Sequence, residues 1–165
     1  MSKAVVYILL LFLLLPGSSA LPPYFAYGSN LSPFWLSLRT LTPPQAPAPA
    51  TLPLHSLRIN LGAAASVEPS SSAVEGLLYE LPAAAWLALC ASEGVPLAYR
   101  PVRVRVRLGV GGELGGEVEA VTFRSFKGRG SNKTEQWYKD ILVKGGRENG
   151  LSEAYVRDVL EALET

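Results

Sequence analysis

The chain predicts an α+β domain in which a small mixed β-sheet, able to close into a barrel, is flanked by helices. Three observations lead there. PVRVRVRL alternates apolar and charged residues at the two-residue period of a half-buried strand. The glycine-rich GVGGELGG behind it, followed by EVEAVTF, makes that strand half of a hairpin. AAAWLALCAS and SEAYVRDVLEAL have the length and apolar spacing of helices. Strands and helices mixed without strict alternation indicate α+β, and 165 residues suit one domain with its own core.

In order, residues 1–20 stand apart. Lys3 precedes an apolar run over 5–15, then Pro16, Gly17 and the small residues Ser18, Ser19 and Ala20, the pattern of a signal peptide or an uncleaved anchor. The run is marginal for crossing a bilayer. A cleaved leader implies the secretory pathway or an extracellular location; a leader that is a gene-model artefact implies the cytoplasm. The domain spans 21–165.

Residues 24–27 (YFAY) read as a strand that Gly28, Ser29 and Asn30 break. Ser32 and Pro33 then offer an N-cap and a proline at the first helical position, opening a short helix over 33–39. TPPQAPAPATLP, residues 42–53, is too rich in Pro and Ala for regular structure and reads as an extended surface connection. LHSLRINL forms a second strand, Ser70 to Ser72 mark a loop, and VEGLLYEL forms a central strand. Pro82 opens a buried helix that stops at Gly94. In the alternating strand Val102, Val104, Val106 and Leu108 face inward, and Arg103, Arg105 and Arg107 face water. TEQWYKDILVKGG gives a helix with Trp137, Ile141 and Lys144 on one side, Tyr138, Leu142 and Gly145 on the next, ending at its two glycines. Asn149-Gly150 is a turn, and 152–163 form a helix with Tyr155, Val156, Val159 and Leu160 inward.

Several function classes are excluded or weakened. Fifteen basic residues face 14 acidic ones, so no net field draws nucleic acid, and a membrane is a partner only through an uncleaved leader. The arginine stripe lacks interleaved aromatics and reads as the wet face of a strand. GVGGELGG misses the dinucleotide spacing and lies between two strands. One cysteine, Cys90, and one histidine, His55, allow neither an internal disulfide nor a metal cluster, and Cys90 reads as a small buried hydrophobe.

One carboxylate stands out. Glu93 sits at a helix C-terminus, where the dipole disfavours negative charge by roughly 0.3–1 kcal/mol. The dipole, with Trp86 and Leu89 on the apolar side, favours its protonated form, which suits a group that takes up and returns a proton.

YFAYGSNL, VEGLLYEL, SEGV at Glu93, Tyr99 soon after it, and YKDILVKGGRENGL together resemble the gamma-glutamylcyclotransferase family, in order along nearly the whole domain. The resemblance implies a small β-barrel with flanking helices and a reaction without metal or cofactor. In that reaction the α-amine of a gamma-glutamyl group attacks its own γ-carbonyl, giving 5-oxoproline and a free amino acid. It implies Glu93 as the catalytic acid and base, Tyr24, Phe25, Ala26, Tyr27, Gly28, Ser29 and Asn30 as the substrate loop, and Tyr138 as a further substrate contact. Tyr99 is a weaker match, with a wall role. YGSN, with Asn30, points to the branch acting on gamma-glutamyl amino acids. Gamma-glutamylamine or glutathione substrates, an inactive binding module of the same fold and a homodimer stay open. Sequons at Asn30-Leu31-Ser32 and Asn132-Lys133-Thr134 would matter for a secreted chain.

Overall fold

The computed structural model describes residues 21–60, 64–112, 115–126 and 133–165. The leader, Asn132 and the tip of the 109–116 turn lie outside the described residues. Five strands, β1 (Tyr24–Ala26), β2 (Ala48–Asn60), β3 (Ala64–Tyr79), β4 (Tyr99–Leu108) and β5 (Glu117–Ser125), close into a barrel in the order β1-β3-β2-β4-β5. Every neighbouring pair is antiparallel except β1 beside β5, which makes the barrel mixed. Around it lie α1 (Pro33–Thr40), α2 (Ala83–Ser92), α3 (Gln136–Glu148) and α4 (Glu153–Tyr155), which continues through a wider turn over Val156–Leu160.

The alternation in β4 buries Val106 and half-buries Val102 and Val104, while Leu108, expected inward, is exposed at the end of the strand. On the wet face Arg103 pairs with Glu119, and Arg107 pairs with Glu117 at 3.4 Å, both from β5. The stripe is thus a solvated cross-strand charge ladder, whose exposed pairs contribute little each.

The structure corrects three readings. The Pro/Ala stretch enters β2 at Ala48 and is paired with β3 from there on. A strand residue points its N–H and C=O to the same side, and the Pro49 carbonyl accepts from the Gly109 N–H (2.9 Å). The absent N–H of Pro49 therefore falls on the β4 side, where pairing is limited to Ala50 and Thr51, and no bond to β3 is lost. Ser70 to Ser72 form no loop. The register runs from His55 opposite Pro69 to Pro53 opposite Ala73, so the serines bulge out of a continuous β3 against Leu54 alone, whose φ is 58°. Finally, α3 runs through Gly145 and Gly146 to Glu148. Those glycines serve close packing: a Cβ on Gly145 would lie 2.9 Å from the carbonyl carbon of Leu31. Ser32 occupies the N-cap position of α1 without a capping bond from its side chain, and Tyr27 lies just beyond β1.

One continuous core joins Phe25, Leu52, Ile59, Val67, Val74 and Leu77 of the strands to Leu36, Leu89, Leu142 and Leu160 of the helical layer. Cys90 belongs to it, fully buried and free, and burial reinforced by the nearby charge of Glu93 pushes its thiol up to about 12. Among the described glycines the tightest approach is at Gly76 of β3, where a Cβ would stand 2.3 Å from the Ala26 carbonyl oxygen and 2.6 Å from Phe25 Cζ.

Gly76→Ala must push β1 away from β3, and the expected loss is at least ~1–3 kcal/mol. A shifted denaturant midpoint at unchanged slope would record it; an unmoved midpoint would show that β1 yields freely. Cys90 should resist iodoacetamide at pH 8 in the folded protein and react once unfolded, because only the thiolate attacks. The linkage has a definite sign: unfolding returns the thiol to roughly 8.5, so its contribution is complete below that pH and is lost as pH rises toward the folded value.

Candidate active site

The site is organised by the chain leaving β1. After Gly28 it makes one tight helical turn, Ser29–Leu31, closed by Leu31 N–H to the Gly28 carbonyl (2.8 Å) and Ser32 N–H to the Ser29 carbonyl (3.2 Å). Three groups hold this turn. The Tyr79 hydroxyl donates to the Asn30 carbonyl (3.2 Å), and Asn149 Nδ2, at the end of α3, donates to the Leu31 carbonyl (3.2 Å) and to that of Gly145 (2.8 Å). Gly145 itself supplies the third constraint, since its missing side chain lets α3 lie against Leu31 and Ser32. Two helical turns earlier on the same face stands Tyr138. Its hydroxyl would lie 3.1 Å from a Cβ on Gly28, and Ala65 Cβ equally close, so glycine keeps this corner open.

From the other side α2 delivers Glu93. The Glu93 N–H still bonds Leu89 (2.9 Å), and Gly94 then takes the left-handed conformation (φ 68°) that ends the helix. Carboxylate oxygen Oε1 accepts from Asn30 Nδ2 at 3.1 Å. The same nitrogen donates to the Tyr24 hydroxyl at 2.9 Å, and Asn30 Oδ1 accepts from the Arg39 guanidinium of α1. One buried amide thus ties together a carboxylate, a phenol and a guanidinium. Among the described residues Glu93 and Arg39 form no ion pair with each other. A glycan on Asn30 would need the nitrogen already engaged by Tyr24 and Glu93, so it is incompatible with this packing.

These groups share a cavity of about 240 Å³, lined by Tyr24, Tyr27, Gly28, Ser29, Asn30, Glu93, Tyr99 and Tyr138 together with Trp35, Arg39, Ala65, Phe123, Trp137 and Ile141. Of the expected substrate loop, Phe25 and Ala26 are not in it. Both are fully buried, because β3 and β5 flank β1 on either side and only its neighbouring tyrosines reach past the core. Tyr99 does line the cavity, its hydroxyl donating to the Ala65 carbonyl (2.9 Å). The Tyr27 hydroxyl lies between the carbonyls of Phe123 and Ala65.

Six lining residues escaped the sequence reading. Two pairs had a signal: Trp35 with Arg39, and Trp137 with Ile141, are spaced i, i+4 and so share a helix face. Ala65 and Phe123 carried none, because long-range strand pairing brings them here.

Burial raises the phenols of Tyr24, Tyr27, Tyr99 and Tyr138 above their ordinary range, with the charge of Glu93 adding to the effect. At Tyr138, hydrogen bonds from Ser29 and the Ala65 main chain oppose the shift without cancelling it. All four are neutral donors at physiological pH. The cavity therefore offers one carboxylate, one guanidinium and several neutral hydroxyls, with no group of acids, cysteines and histidines fit for a metal among the described residues.

A model of the AIG2-like family matches residues 73–159, a span that includes Glu93 and Tyr138. A solved structure titled gamma-glutamyl cyclotransferase is 25% identical and superposes with TM-score 0.73 over 87% of this chain and 88% of that one. A human protein described as uncharacterised is 26% identical, with TM-score 0.72 over 87% and 88%. YkqA from Bacillus subtilis, 24% identical, shares the fold with TM-score 0.73 over 90% of this chain and 56% of its own. A search of curated proteins finds no match.

Asn30→Ala would strip the Tyr24 hydroxyl, Arg39 and Glu93 of their common partner. The expected cost is about 1–3 kcal/mol of stability, measurable by chemical denaturation. A neutral result would mean that water replaces the amide without loss.

Proposed function

Since the chain belongs to the AIG2-like family, we propose that it is a gamma-glutamylcyclotransferase acting on gamma-glutamyl amino acids. The carrying observation is that Glu93, held by Asn30, faces the same cavity as Gly28, Ser29 and the protonated Tyr138. The substrate contains both nucleophile and electrophile, so the protein's first task is to hold the bent conformer in which the α-amine reaches the γ-carbonyl; such orientation can supply several kcal/mol. Glu93 takes a proton from the α-ammonium. The amine nitrogen bonds to the γ-carbon, and negative charge gathers on the former carbonyl oxygen, where Ser29 and the Tyr138 hydroxyl are suited to donate. Collapse breaks the amide C–N bond as Glu93 returns that proton to the departing nitrogen, and the second proton lost by the α-nitrogen follows by the same route, so that the ring keeps one N–H and the amino acid leaves as its ammonium form. Atoms balance without water: one gamma-glutamyl amino acid becomes 5-oxoproline and one amino acid.

Arg39 supports the amino-acid branch. Its guanidinium is the one cation among the residues lining the cavity, and a gamma-glutamyl amino acid carries two carboxylates where a gamma-glutamylamine carries one. Asn30 holds that cation by its Oδ1 and keeps it beside the reaction centre.

Incubation with gamma-glutamyl-alanine should yield 5-oxoproline, and Glu93→Gln should cut kcat by about 10²–10⁴ while circular dichroism stays unchanged. A wild-type protein that makes none, or a Glu93→Gln variant equal to wild type, overturns the reading. Gamma-glutamylamines and glutathione in the same assay identify the branch.

A further inference from the structure

We infer that the exposed indoles of Trp35 and Trp137, which line the cavity, form a subsite for the leaving amino acid and select gamma-glutamyl substrates whose leaving residue has a bulky apolar, above all aromatic, side chain. The inference rests on the cyclotransferase reading.

Size is the first argument. At about 240 Å³ the cavity falls below the ~300 Å³ at which small-molecule pockets usually begin. A gamma-glutamyl group seated against Glu93 and Ser29 fills much of it, and the side chain of the leaving residue then meets the part lined by Trp35 and Trp137.

The second is the distribution of chemistry. The polar groups Glu93, Asn30 and Ser29 come from the helix ends and the tight turn. The indoles come from two separate helices and remain 36% and 58% exposed, with Ile141 one turn beyond Trp137. Single exposed aromatics mean little, but apolar groups converging on a cavity indicate binding. The ring contacts of Trp35 with Phe34 (5.8 Å) and of Trp137 with Tyr138 (5.6 Å) are edge-to-face, so neither indole is stacked flat on these neighbours. Flat indole surface is what an aromatic or branched side chain packs against.

The third is register along α1. Trp35 lies one turn before Arg39, about 5–6 Å away between Cβ atoms. A leaving amino acid with its carboxylate on Arg39 therefore has Trp35 within reach of its side chain. An acidic side chain there would find no second cation in the lining.

The test compares kcat/KM for gamma-glutamyl-phenylalanine, -leucine, -alanine and -aspartate in wild type, Trp35→Ala and Trp137→Ala. Phenylalanine should exceed aspartate by at least about tenfold in wild type, and that ratio should fall toward unity in each variant. Equal values across the wild-type panel, or a preference surviving both substitutions, overturn the subsite while 5-oxoproline formation leaves the cyclotransferase reading standing. Substitutions that change hydrodynamic size and not preference also overturn it, making the face a protein interface. If nothing is cyclised, the reaction reading fails alone and calorimetry decides the subsite: wild type binding gamma-glutamyl-phenylalanine at least about tenfold tighter than gamma-glutamyl-aspartate supports it, and equal affinity overturns it.

Discussion

The architecture of the site depends on how closely α3 approaches the turn Ser29–Leu31. A helix normally keeps neighbouring backbone about a side chain away, but here the Leu31 carbonyl carbon lies only 2.9 Å from where the Cβ of residue 145 would be. Asn149 then fastens the two backbones by bonding carbonyls on both sides of the contact. Because α3 is rigid, this contact also sets Tyr138 over Gly28, two turns away. The tight turn in turn fixes the Asn30 side chain, and through it the carboxylate at the end of α2. A helix, a turn and a second helix are thus positioned by one missing methyl and one amide.

Asn30 has a second consequence. Glu93 and Arg39 both reach its side chain, one on Nδ2 and one on Oδ1. At about 4 Å and an effective dielectric near 20, opposite charges attract by ~4 kcal/mol. An aliphatic residue at this position would invite the two to close on each other, occupying the base and the cation together. The amide satisfies both while holding them apart, which in the proposed reaction leaves Arg39 for a substrate carboxylate and Glu93 for the α-ammonium.

Much of the fold was legible in the sequence because local chemistry determines it. Alternation marks β4, Pro33 opens α1 and Gly94 closes α2, each acting within a few residues. The misreadings share a different cause. Pro49 looks incompatible with a strand until it is known that its missing N–H falls on the sparsely paired β4 side of β2, and Ser70 to Ser72 look like a loop until β2 is seen to run alongside them. Gly145 and Gly146 resemble a helix stop until their tight neighbours are known. In each case a residue's meaning is set by a partner distant in the chain. The site divides similarly: Glu93, Gly28, Ser29, Asn30 and Tyr138 stand in motifs and share a cavity, Phe25 and Ala26 belong to the same motif but to the core, and Arg39 carries no sign beyond its helical spacing from Trp35.

The placement of Glu93 can now be weighed. By itself a carboxylate at a helix C-terminus costs roughly 0.3–1 kcal/mol. A hydrogen bond to a charged group contributes about 1.5–3 kcal/mol, so the single bond from Asn30 to Oε1 more than offsets the dipole. The position is therefore no net liability once the turn is in place, and its stability is borrowed from the turn. Among the described residues Oε1 of Glu93 has a partner and Oε2 has none, so in the proposed reaction Oε2 is the oxygen that exchanges the proton. Anchoring one oxygen gives a carboxylate whose direction is set by the fold before any ligand arrives, which is what the proposed proton exchange at Glu93 requires.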